Sequence, residues 1–216
     1  MSDDPATSSR TSNYDVKKER RDLYGGRAGR FDLVDVPEMR FLMADGHGDP
    51  NVSDDYRRAV ESLYTTAYTI RSTARSQLGR VHTVGPLEGL WYADDLHVFT
   101  ARNKSAWSWT MMIWQPDWVT PDMAASALDT VGSTKIPGVA DLVRFDTVVE
   151  GPAVQTLHVG SYDDEGPTIA HIHEQVIPGY DAVPTGYHHE IYLSDPRRTA
   201  PEKLKTILRQ PVALTS

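Results

Sequence analysis

The sequence predicts an α+β fold: two tandem β-α-β-β modules related by a pseudo-twofold axis, with a ligand cleft where they meet. Three observations carry this. Short apolar runs are bounded by proline and glycine, as strands are. Apolar spacing of three and four residues marks helices between those runs. Finally, Phe145-Asp146-Thr147-Val148 repeats Phe31-Asp32-Leu33-Val34 at an offset of 114 residues, and each copy is followed by a proline (Pro37, Pro152), an apolar strand and a glycine turn (Gly46, Gly160).

In chain order, residues 1–12 are polar and read as a disordered tail, and residues 13–30 form a basic N-terminal arm laid over the domain. Residues 31–212 form one domain. Its first module, about 31–118, opens with strands over 31–36 and 39–44. Ser53 with Asp54 and Asp55 then caps a helix that carries Tyr56, Val60, Leu63, Ala67, Ile70 and Ala74 and ends near Gly79. Two adjacent strands, 87–92 and 107–114, close the module. The second, about 119–195, has a helix capped by Thr120 with Pro121 in its first turn. The repeated strand pair, a helix over 168–176 and a strand over 188–193 follow. A C-terminal helix is expected at about 200–209.

Composition narrows the chemistry. The 22 Lys+Arg and 30 Asp+Glu give a net charge of −8, yet residues 31–194 hold 10 basic and 23 acidic side chains, so the body carries −13. Such a surface repels nucleic acid and favours cationic ligands. With no cysteine there is no thiol nucleophile, disulfide or cysteine zinc site. No run nears the ~18 apolar residues of a membrane span, and the first ten residues are polar, so a cytoplasmic protein is expected. His171-Ile172-His173 would point its two rings apart on a helix; neither a metal nor any other cofactor is predicted.

Strand alternation sorts the candidate residues. His189, Ile191 and Leu193 share a mainly apolar face suited to helix packing; His188, Glu190 and Tyr192 share the other. Glu190 is a carboxylate in mid-strand, where a charge needs a partner or a task. Arg40 or Arg144 are candidate partners. Trp91, Tyr92, Trp107, Trp109 and Met111, with His188, provide flat rings and an adaptable thioether for planar ligands.

Four motifs in order resemble those of the GyrI-like small-molecule-binding proteins. They are Pro86-Leu87-Glu88-Gly89-Leu90-Trp91-Tyr92, then Trp109-Thr110-Met111-Met112-Ile113 with Gln115-Pro116-Asp117, then His158-Val159-Gly160-Ser161-Tyr162-Asp163-Asp164-Glu165, and His188-His189-Glu190-Ile191-Tyr192-Leu193 running on to Arg198. Tyr92 stands where a second tryptophan is expected, and Ser161 where proline is frequent. The resemblance implies the duplicated β-α-β-β fold of multidrug-sensing effector domains, whose aromatic cleft holds a carboxylate, here Glu190. It also implies kinship with stand-alone hydrolases that open the cyclopropane of DNA-alkylating compounds. On that reading Glu190 is the general base, Tyr192 or Tyr162 donates a hydrogen bond to the substrate carbonyl, and Trp91, Trp107 and Trp109 hold the planar skeleton. The partner is then a lipophilic aromatic small molecule, neither membrane nor nucleic acid. Two rivals stay open: a non-enzymatic multidrug binder or sensor, and a gyrase-interacting protein whose acidic body imitates DNA.

Overall fold

Runs rich in β-branched and aromatic residues pair here into one large antiparallel sheet, and the capped amphipathic segments cover it. The structure, a computed structural model, describes residues 13–93 and 103–215. The tail expected over 1–12 lies outside them. Strand β1 (Asn13–Tyr14) and helices α1 (Val16–Glu19) and α2 (Arg21–Tyr24) lead into β2 (Asp32–Val36) and β3 (Met39–His47). Helix α3 (Asp54–Leu78) and strands β4 (Val81–His82), β5 (Leu87–Tyr92) and β6 (Ser108–Gln115) come next. After α4 (Pro121–Thr134) and α5 (Val139–Leu142) the chain forms β7 (Arg144–Val148) and β8 (Gly151–Val159). Helix α6 (Gly166–His171) runs through a π turn (Ile172–Val176) into α7 (Ile177–Gly179), before β9 (Ala182–Pro184), β10 (His188–Tyr192) and β11 (Lys205–Leu214).

The sheet order is β2-β8-β11-β10-β5-β6-β3-β7, with β9 added alongside β11. The caps read from the sequence form as expected. Ser53 accepts the Tyr56 amide at 3.1 Å, Gly79 ends α3 at φ 64°, and Thr120 accepts the Met123 amide at 3.2 Å. One face of β3, β6 and β5, carrying Leu42, Trp109, Met111 and Ile113, packs under Leu63, Ala67 and Ile70 of α3 and Val131 of α4. Further along the same face, Ile172 and Ile177 cover Val154 of β8 and Leu208 and Val212 of β11. The reverse face is covered by the basic arm, which buries Val16, Leu23 and Tyr24 against Phe41, Met112, Trp114 and Ile191.

Two expectations are corrected. No helix forms at 200–209: Pro201–Lys203 is a single 3-10 turn, and β11 follows as a strand paired on both sides, by β10 and β8. Its lysines and arginine suggest a helix surface, but residues 206–212 are buried on both faces of the sheet, Arg209 among them, so no polar face is left for a helix to turn to solvent. It also extends the sheet beyond the boundary expected at 195. The second correction concerns His189, whose face is not simply apolar.

His189 is 1% exposed and lies between two carboxylates, Nε2 at 3.0 Å from Glu88 Oε2 and Nδ1 at 2.9 Å from Glu150 Oε1. Both ring nitrogens therefore donate, which defines an imidazolium. The two carboxylates raise its pKa to about 9 against burial, while His189 and Arg209 hold Glu150 down to about 2. Arg209 donates to Glu150 Oε2 at 2.9 Å, Gln155 Oε1 at 3.0 Å and the Leu23 carbonyl at 2.7 Å, and Tyr24 donates to Glu88 Oε1 at 2.8 Å. Two cations balance two anions, and α2 is tied into the set.

Removing one partner strands a buried charge, so Arg209→Met is expected to cost about 3–5 kcal/mol in urea denaturation. His189 has a higher pKa folded than the 6.5 of an unperturbed histidine. Its stabilisation is thus complete below about pH 6.5 and is lost as pH rises through about 9. The wild-type thermal midpoint should fall across that window, and His189→Gln should flatten the fall.

Candidate functional site

Strands β5 and β10 meet at the centre of the sheet, and their register sets Gly89 opposite Glu190, Trp91 opposite His188 and Leu87 opposite Tyr192. Residues directly opposite share a face. Trp91, His188, Glu190 and Tyr192 therefore project together on the helical side, in the strip between α3 and the α6–α7 cover. The indole Nε1 of Trp91 donates to the Tyr192 hydroxyl at 3.0 Å, and that hydroxyl donates to Glu190 Oε2 at 2.7 Å. His188 Nε2 lies 3.5 Å from Glu190 Oε1. The Tyr162 ring stands edge-on to Tyr192 at 5.5 Å, and Trp107 edge-on to Trp91 at the same distance.

Glycine at position 89 makes this convergence possible. A Cβ there would come within 2.5 Å of Met111 Cε, 3.1 Å of Trp91 Nε1 and 3.3 Å of the Tyr192 hydroxyl. Met111, fully buried, thus forms the floor beneath Glu190's strand partner.

Two expected ligand contacts fall elsewhere. Trp109 is fully buried beneath α3, edge-on to Tyr56 at 5.2 Å and against Gly46, and serves as core. Tyr92 follows Trp91 on the strand, so it faces the reverse side, where it stacks on Tyr187 at 4.3 Å. Neither arginine considered as a partner reaches Glu190: Arg40 donates to the carbonyls of Asp117 and Val119, and Arg144 pairs with Asp45.

The structure adds Glu165, Thr206 and Tyr56. Glu165 precedes α6 and is only 3% exposed, with Oε1 free of any hydrogen bond among the described residues. Burial first, and the Glu190 charge second, push its pKa up to about 9, against the opposing pull of the Thr206 hydroxyl. Burial and the same carboxylates raise Tyr162 to about 12 and Tyr192 well above its usual 10. Tyr56 from α3 rises by burial and by the Glu190 charge. All three phenols thus remain protonated donors around two carboxylates. In the sequence, Glu165 ends an Asp163-Asp164-Glu165 run before Gly166-Pro167, the pattern of a solvated turn, which hid it.

Two open depressions, about 430 Å³ beside Phe31, His158 and His171 and about 410 Å³ beside Arg21, Arg27 and Arg30, lie away from Glu190. Perturbed titration concentrates instead on the β5–β10 strip, and that makes it the candidate site.

Gly89→Ala should push Met111 and the Tyr192 hydroxyl aside. The expected outcome is a stability loss of about 1–3 kcal/mol in denaturant titration, with a shift in Trp emission as the Trp91 hydrogen bond is disturbed.

An uncharacterized conserved protein from Listeria innocua superposes with a TM-score of 0.85 at 39% identity, covering 93% of this chain and 100% of that one. A hydrolase from the same organism gives 0.81 at 37% identity, again covering 93% and 100%. The C-terminal domain of EcmrR shares the fold, with a TM-score of 0.55 at 11% identity over 86% of this chain and 98% of that one. Comparison with curated proteins gives no match. Residues 30–213 match the GyrI-like small molecule binding domain, and the chain belongs to that family.

Proposed function

We propose that the protein binds planar, lipophilic and often cationic small molecules between two β-α-β-β modules, and that it opens electrophilic cyclopropanes by adding water. The observation that carries this reading is Glu190: a carboxylate oriented by Tyr192, walled by Trp91 and Tyr162, and paired with no lysine or arginine among the described residues. Aromatic faces beside an uncompensated carboxylate attract a delocalised cation. A duplicated architecture is supported by the strand order. Exchanging β2 with β7, β3 with β8, β5 with β10 and β6 with β11 returns the same order read from the other edge. The hydrolase reading is supported by the Listeria innocua hydrolase at 37% identity.

In the proposed reaction Glu190 takes a proton from water while the water oxygen attacks the ring methylene. The electron pair of the breaking ring bond passes to a conjugated carbonyl oxygen, which needs a donor. Tyr192 has committed its proton to Glu190 and acts as a positioning residue. Tyr162, 39% exposed, is the phenol that meets the ligand. Trp91 and Trp107 hold the planar skeleton.

With an electrophilic cyclopropane followed by mass spectrometry, Glu190→Gln should lower turnover about 10²–10⁴-fold. Affinity for a neutral planar ligand, read by Trp quenching, should be unchanged, and affinity for a lipophilic cation should weaken. Wild-type binding without any product would replace hydrolysis by sequestration.

A further inference from the structure

We propose that His188 sets which ligands the cleft accepts: as an imidazolium it is Glu190's own counter-ion and competes with a cationic ligand for that carboxylate, and as a neutral imidazole it leaves the carboxylate to the ligand. The proposal rests on the reading of Glu190 as the carboxylate that meets cations and extends it.

The geometry supplies the argument. His188 and Glu190 stand two residues apart on β10, so both project on the helical face, and their side chains are 16% and 14% exposed. His188 Nε2 lies 3.5 Å from Glu190 Oε1, and both ring nitrogens of His188 are buried without a hydrogen-bond partner among the described residues. Buried polar atoms left in this way are uncommon and call for a reason. Glu190 Oε2 is taken by the Tyr192 hydroxyl at 2.7 Å, which leaves Oε1 as the oxygen that a cation would address. That is the oxygen His188 stands beside. An approach of about 0.5 Å turns the contact into a charge-assisted hydrogen bond once the ring is protonated.

The groups around the pair offer no rival counter-ion. Across β5 the neighbour of His188 is Trp91, and Gly89 stands opposite Glu190. His173 on the π turn has its pKa lowered by burial first and by the His188 charge second. Tyr192 on β10, Tyr56 on α3, and Tyr162 and Glu165 on the turn before α6 all feel the Glu190 charge. Of these groups only the two histidines can become cations, and among the described residues only His188 lies within ion-pairing distance of Glu190. Histidine changes charge between about pH 5 and 8. The cleft thereby has two selectivities: in acid Glu190 is answered from within and neutral planar ligands are favoured, and at higher pH lipophilic cations bind as well. Proton and ligand cation compete for one oxygen, so binding of either expels the other.

The first test needs no ligand. At pH 6 the ring nitrogen resonances of His188 should show a protonated-to-neutral ratio about tenfold higher in wild type than in Glu190→Gln, because the opposite charge is gone from the variant. Equal ratios overturn the proposal whatever the cleft binds. The second compares N-methylacridinium with N-methylacridone, planar ligands that differ in charge, by Trp quenching. The Kd for the cation should be about tenfold weaker at pH 5.5 than at pH 8 in wild type and level in His188→Gln. The neutral ligand should keep one Kd in both proteins. Calorimetry at pH 6 in two buffers of different ionisation enthalpy should show proton release when the cation binds wild type and none with His188→Gln. The imidazolium of His189 faces the reverse side of the sheet and titrates near 9, above this range. A level wild-type profile beside tight cation binding, or the same weakening in His188→Gln, rejects the role of His188 and spares the reading of Glu190. Failure of both proteins to bind the cation at either pH rejects that reading and this proposal together.

Discussion

Pairing of β5 with β10 depends on a histidine held between two carboxylates beneath the sheet. Its register is strongly specified because His189 must reach Glu88 on the neighbouring strand and Glu150 before β8 together. A slip of one residue would move every side chain of β10 to the opposite face. Glu190 would then enter the arm-covered core, and His189 would face the helical side. The same network reaches Leu23 and Tyr24, so the basic arm is part of what places Glu190 although it lies on the other side of the sheet.

The two faces of this strand pair treat charge in opposite ways. On the reverse face two cations answer two carboxylates, and every charged group has a partner at hydrogen-bonding distance. Burial there serves structure. On the helical face Glu190 accepts the Tyr192 hydroxyl, has His188 Nε2 at 3.5 Å and pairs with no lysine or arginine among the described residues.

Much of this arrangement was legible in local patterns. Ser53, Thr120 and Gly79 act through neighbours a few residues away, so α3 and α4 are found where the sequence puts them. Alternation likewise placed His188, Glu190 and Tyr192 together. What escaped was non-local. His189 looks like one polar residue in an apolar stripe because its carboxylates lie 39 and 101 residues away. Glu88, a mid-strand carboxylate like Glu190, carried the same signal and could have been found by the same reasoning. Glu165 could not, since a polar turn gives no sign that one of its three acids folds inward. Tyr92 and Trp109 were drawn to the site by residue type alone. Parity along β5 separates Tyr92 from Trp91, and the α3 stripe claims Trp109 for the core.

The residue opposite Glu190 explains how so crowded a strip is packed. At any other strand position a side chain on β5 would stand beside the carboxylate; Gly89 leaves that place to its neighbours. Met111, Trp91 and Tyr192 close over the gap from three directions, each within about the distance that one methyl group would occupy. Their convergence fixes the Trp91–Tyr192–Glu190 hydrogen-bond chain, and with it the direction in which Glu190 presents its second oxygen. That oxygen lies 3.5 Å from His188 Nε2. One glycine in a strand, costly to sheet stability on its own, is therefore the local concession that lets Met111, Trp91 and Tyr192 converge beside Glu190.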